Sequence, residues 1–140
     1  MRLVVAHSPT VRFDVPIMAR RCMAGRGMLM HGASDGQGVL VWLRGAAGQV
    51  LDTGTYPLLP RGDSASSRGA IASVRFLVGD VAHGLTLDDG SATVTVASPP
   101  FALRVRGVGL ETALAEQRSA ELTLEQVPLA SDTVPCGVQP

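Results

Sequence analysis

Apolar and polar residues alternate along most of this chain in short runs, and turn-forming residues separate the runs. Val39-Leu40-Val41-Trp42-Leu43 is one such run. Val74-Arg75-Phe76-Leu77-Val78, Leu85-Thr86-Leu87, Thr93-Val94-Thr95-Val96, Phe101-Ala102-Leu103-Arg104-Val105 and Ala120-Glu121-Leu122-Thr123-Leu124 follow it. A period of two places successive side chains on opposite faces of a half-buried strand. The pattern predicts an all-β fold: a single-domain antiparallel β-sandwich, with a small β-barrel as the alternative. The inward positions are Val41, Val74, Phe76, Leu87, Val94, Leu103 and Leu122.

Turn chemistry sets the predicted connections. Residues 39–44 and 49–53 read as a hairpin around Gly45-Ala46-Ala47-Gly48, and residues 31–38 as a glycine-rich loop. Residues 56–60 read as an extended edge, and 61–69 as a loose polar loop. Gly79-Asp80 breaks the longest strand. Asp89-Gly90 matches a tight type I′ turn, which pairs residues 93–97 with 85–88 as a hairpin. Gly107-Val108-Gly109 ends the strand before it, and residues 110–117 fit either a short helix or a strand. The chain divides into an N-terminal part, 1–37, a sandwich body, 38–127, that forms one domain with it, and an extended tail, 128–140.

The first part differs from the body. Residues 2–6 and 11–15 read as strands. Met18, Met23, Met28 and Met30, four of the five methionines, cluster after them. Methionine is flexible and is over-used at adaptable binding surfaces; filling the core beneath the first strands is the alternative. Residues 1–50 hold six Arg against two Asp, a net +4, while 51–100 and 101–140 each carry a net −2. Arg12, Arg20, Arg21, Met23, Arg26, Met28 and Met30 are therefore the expected partner-docking residues, because local positive charge steers toward acidic surfaces.

Composition narrows the function classes. The chain has 140 residues, 46% of them hydrophobic, which suffices for a buried core. All twelve basic residues are Arg, and the formal net charge is zero. A zero net charge weighs against a general nucleic-acid binder. No apolar run approaches a membrane span, and residues 3–6 are too short for a leader's apolar region. A cytoplasmic protein, peripheral on a membrane complex, is the resulting expectation. Cys22 and Cys136 either form one long-range disulfide or stay as separate thiols. His7, His31 and His83 lack metal-ligand spacing, no GxSxG elbow accompanies Asp80, His83 and Asp88, and Gly25-Arg26-Gly27 is no phosphate loop. The expectation is no enzyme activity, no cofactor and no metal. Arg61-Gly62-Asp63 spells an integrin-type tripeptide in a chain rich in all three residue types.

The segments GVLVWLRG, GTYPLLPRGDSAS, FLVGDVAHGLTLDDG and VPLASDTVPCGV resemble small β-rich proteins of GC-rich bacteria of the Gemmatimonadota type. The resemblance implies a membrane-extrinsic subunit that holds a photosynthetic reaction-centre and light-harvesting complex together, with protein subunits as partners. A bacteriophage capsid decoration protein suits the same features. A small-molecule or metal-binding β-barrel using His31 and His83, with possible enzyme activity, is the reading from a different class.

Overall fold

The computed structural model describes residues 2–6, 11–23, 27–45, 51–60, 68–112 and 116–136, with side chains described from Asp14 onward. Among these residues there are twelve strands and no α-helix: β1 (Arg2–Ala6), β2 (Val11–Asp14), β3 (Met18–Cys22), β4 (Met28–Ser34), β5 (Gln37–Arg44), β6 (Gly54–Pro57), β7 (Gly69–Val78), β8 (Val81–Leu87), β9 (Asp89–Val96), β10 (Phe101–Leu110), β11 (Gln117–Val127) and β12 (Leu129–Val134). They form two six-stranded sheets. Sheet A has the order β2-β1-β11-β10-β9-β6, and sheet B the order β12-β3-β4-β5-β7-β8. The two sheets pack face to face without closing into a barrel, so the fold is the β-sandwich that the alternation predicts.

The inward register follows the same alternation. Val41, Phe76, Leu87 and Leu122 have no exposed surface, and Val74, Val94 and Leu103 are buried beside them. Ala120, Leu122 and Leu124 of β11 face the core while Glu125 is exposed. Burial of such apolar surface is the main favourable term holding the sheets together.

Several connections differ from the expected ones. Two Asp-Gly pairs occur, and the tight turn forms at the other one. Asp35 and Gly36, with φ of 55° and 79°, join β4 to β5. Positive φ at both central residues is what a type I′ turn requires. Residues 31–38 are therefore a hairpin and not a loop. Asp89-Gly90 lies inside β9, which pairs with β10 and β6, while β8 belongs to the other sheet. Gly90 is still needed there: its φ is 141°, and a Cβ would stand 2.1 Å from the Arg106 carbonyl oxygen. Residues 51–53 are not a strand; β5 pairs with β4 and β7 instead, and residues 46–50 lie outside the described residues. The tail supplies β12, which pairs with β3 in parallel, so sheet B is mixed.

Strand β10 does not stop at Gly107. It runs to Leu110 because β8 crosses directly over its end, where a Cβ on Gly109 would lie 1.8 Å from the Thr86 carbonyl oxygen. Asp88 N donates to Val108 O at 3.0 Å, and Thr112 N to Gly84 O at 2.9 Å. These bonds stitch the two sheets together at one corner and fix β8 beside the residues that follow β10.

Candidate functional site: the outer face of sheet B

Three side-chain rows cross the outer face of sheet B. The first runs Arg20–Leu29–Trp42–Ile71, the second Met18–His31–Leu40–Ser73–Thr86, and the third Ala33–Gly38–Arg75–Gly84. The first row is closed. Trp42 and Ile71 are each 3% exposed, and they pack with Cys22, Leu29, Leu59 and Cys136 in an apolar cluster separate from the main core. The Arg44 guanidinium lies 5.0 Å from the Trp42 ring centroid. Cys22 and Cys136 are bonded, with their Cα atoms 5.4 Å apart, which settles the question the sequence left open.

The second and third rows are open. They form a groove of about 640 Å³ lined by His31, Leu40, Ser73, Arg75, Thr86 and Thr112 over a floor of Gly32, Gly38 and Gly84. No Asp or Glu is among the lining residues. Arg75 stands between two glycines, Gly38 on β5 and Gly84 on β8, and the Thr112 side chain stands over Gly84. Arg75 is exposed and makes no hydrogen bond or ion pair among the described residues. Ser73 Oγ and Thr86 Oγ1 share a hydrogen bond of 3.1 Å beside it. Thr112 Oγ1 accepts from Gly84 N at 3.0 Å, which closes the groove on the β8 side.

His31 bounds the groove on the β4 side. Arg20 Nη1 donates to His31 Nε2 at 2.9 Å, because a guanidinium has no acceptor. The ring proton is then on Nδ1 and the imidazole is neutral. Burial, and next the Arg20 guanidinium, hold the His31 pKa below its ordinary value against the opposing pull of Asp132. Asp132 of β12 accepts from Arg20 Nε at 3.3 Å.

The docking residues expected from sequence do not form one surface. Met30 has no exposed surface and Met28 is 8% exposed; both fill the core, so neither meets a partner. The alternation of β4 places them there, with His31 and Leu29 on the opposite face. Arg20 is occupied by Asp132 and His31. Arg21 and Met23 are exposed. Arg12 is on β2 of sheet A, away from β3, and its side chain lies outside the described residues, as do Arg26, His7 and Arg61-Gly62-Asp63.

His31 and His83 both border the groove, but their side chains lie on opposite faces of sheet B. His83 faces the interior with Leu85 and Leu87, on the opposite side of the sheet from His31. Its Nδ1 lies 2.6 Å from Glu111 Oε1, and its ring stacks on Phe76 at 5.2 Å. Glu111 is completely buried. Arg118, 2% exposed, adds a third buried polar side chain, with its Cζ 5.9 Å from the Phe76 centroid. This enclosed cluster joins β8 to the ends of β10 and β11. The His83–Glu111 contact gives both of these buried polar side chains a partner. Sequence reading missed Glu111 because it sits in the segment whose structure was left open.

A second polar group pins the approach to β6. The buried Tyr56 hydroxyl donates to Asp52 O at 2.9 Å and meets Asp52 Oδ1 at 2.8 Å, while Arg68 covers the ring at 3.8 Å. The Tyr56 hydrogen bond lowers the Asp52 pKa, and burial raises that of Tyr56.

Comparison with protein-family models, with curated proteins and with solved structures finds no match in any of the three. Among the described residues, no helix is long and apolar enough to cross a membrane.

Proposed function

We propose that this chain is a non-catalytic docking module that attaches to a larger assembly through the outer face of sheet B. The observation that carries this reading is Arg75, exposed and without a hydrogen bond or ion pair among the described residues, in a groove whose described lining holds no Asp or Glu. An unneutralised guanidinium in a concave surface favours an acidic partner surface and speeds its encounter. Arg21 and Met23 are exposed at the β3 end of the sheet, but Arg21 pairs with core-facing Met28 and so has the parity of the inner face, outside this surface.

The assembly to test first is the extrinsic side of a photosynthetic reaction-centre and antenna complex, on the strength of the sequence resemblance; a capsid shell is the second. The Cys22–Cys136 bond supports an oxidising compartment over the cytoplasm, since disulfides persist there. The experiment is co-purification of tagged wild-type and Arg75→Glu protein with membrane and particle fractions at low and high salt. Charge reversal should lower recovery of a folded variant most at low salt, where screening is weakest. Equal recovery of both proteins at both salts removes this face from the docking surface.

A further inference from the structure

We infer that the Arg75 groove receives a single carboxylate, the acidic side chain of an extended partner segment laid across strands β5 and β7. The inference rests on the docking reading and names the chemistry of its occupant. Three observations lead to it. First, Arg75 is the one cationic side chain lining the groove. Arg20, beside His31 at the far edge of the groove, already serves Asp132 and His31. One guanidinium offers a fork that matches one carboxylate in bidentate fashion, whereas a phosphate dianion calls for more positive charge. Second, Gly38 leaves the β5 side of Arg75 without a side chain, while the Thr112 side chain stands over Gly84 and walls the β8 side. A partner backbone can therefore approach the sheet closely over β5 while its acidic side chain meets the fork. Third, the Ser73–Thr86 hydroxyl pair one row away keeps one O–H after its mutual hydrogen bond, a further donor for an oxyanion.

The glycine floor gives a way to block the groove without touching the charge. Gly38 does not have a left-handed backbone, and a Cβ there would stand 3.3 Å from Gly32 O and 3.5 Å from the Ala33 Cβ. Gly38→Val therefore needs only small adjustments and fills the trough beside an intact Arg75.

The test is a titration of the full-length, disulfide-bonded protein followed by amide and arginine side-chain NMR. Three probes are used: a blocked peptide with one Glu among Gly and Ser, the same peptide with Gln, and inorganic phosphate. The Glu peptide should shift the Gly38 and Gly84 amides and Arg75 Nε–H saturably. Replacing Glu by Gln, or Arg75→Gln in the protein, should weaken binding about fivefold, the upper worth of one exposed ion pair. Gly38→Val, folded by its amide spectrum, should weaken the Glu peptide as much. Equal affinity for the Glu and Gln peptides, shifts confined to another face, or phosphate binding more tightly than the Glu peptide would each overturn the inference. If Gly38→Val proves unfolded, Arg75→Gln alone decides. A peptide that fails to bind while wild-type protein still co-purifies sinks the carboxylate site and leaves docking standing. Peptide binding with unchanged recovery of Arg75→Glu does the reverse.

Discussion

The two halves of the outer face of sheet B are built on the same strands and end in opposite states. At one end β4, β5 and β7 contribute Leu29, Trp42 and Ile71, and chain segments from elsewhere cover them. Two rows away the same strands contribute Ala33, Gly38 and Arg75, and the described residues leave that end open. Leu59 reaches the closed end because Leu58 N bonds Gly90 O in sheet A and Leu59 N bonds Ala70 O in sheet B. Cys136 reaches it through the disulfide. Large apolar groups on an outer face are stable only when something covers them, and this chain supplies the cover from its own segments. A lone arginine between glycines needs no cover. The contrast teaches that the open half is not unfinished packing: its glycines and single arginine suit exposure to water.

The sharpest way to break this comparison is to empty the closed half. Trp42→Ala removes its largest side chain and should cost about 3–5 kcal/mol, the usual range for a buried aromatic. Arg75→Gln, in the open half, should leave stability within about 0.5 kcal/mol of wild type, as exposed substitutions do. Urea unfolding of the two variants measures both. Similar losses would show that the halves are not distinct.

Cutting the covalent cover comes next in size. The Cys22–Cys136 bond closes a loop with a sequence separation of 114. Cross-linking so long a segment restricts the unfolded chain, and the double Cys→Ser variant should lose about 2–4 kcal/mol. The loss should localise: β12 meets β3 in an irregular parallel register, so its amides should exchange faster than those of β5 and β7. Trp42, the chain's only tryptophan, should shift its fluorescence to longer wavelength as its cover loosens. An unchanged emission with two titratable thiols would show that Leu59 and Leu29 hold the cluster unaided.

How much of this was legible in the sequence differs between the two layers. The core was, because Val41, Phe76, Leu87 and Leu122 each sit in a run whose period alone fixes the buried parity. The outward parity of Arg75, between Val74 and Phe76, was legible by the same logic. What it faces was not. Gly38 and Gly84 flank it only through the β5–β7 and β7–β8 registers, which are set by packing between segments remote in sequence. The turn was misplaced for a related reason. Asp35-Gly36 and Asp89-Gly90 look alike locally, and only sheet membership decides which of them reverses the chain. Glu111 escaped notice because a buried carboxylate reads as a surface residue until its partner, His83, is placed 28 positions away. The methionines Met28 and Met30 read equally well as surface or core; the alternation with Leu29 and His31 chooses core.

The smallest effect expected is at the boundary between the halves, where His31 sits in the middle row. Burial and the adjacent Arg20 depress its pKa from the ordinary 6.5, with Asp132 pulling the other way. A histidine with a depressed folded-state pKa binds protons more readily when unfolded. Its favourable contribution is therefore fully present above about pH 6.5 and is lost as pH falls through the folded-state value. Protonation also removes the Nε2 lone pair that accepts from Arg20 and sets two cations side by side. Wild-type stability should thus decline between pH 7 and 5 more steeply than that of His31→Gln, whose amide keeps an acceptor for Arg20 without a titrating group. Thermal midpoints across that range, with the His31 imidazole followed by NMR, check the sign. Parallel profiles for the two proteins would place the pH response elsewhere and leave the boundary between covered and open halves indifferent to protonation.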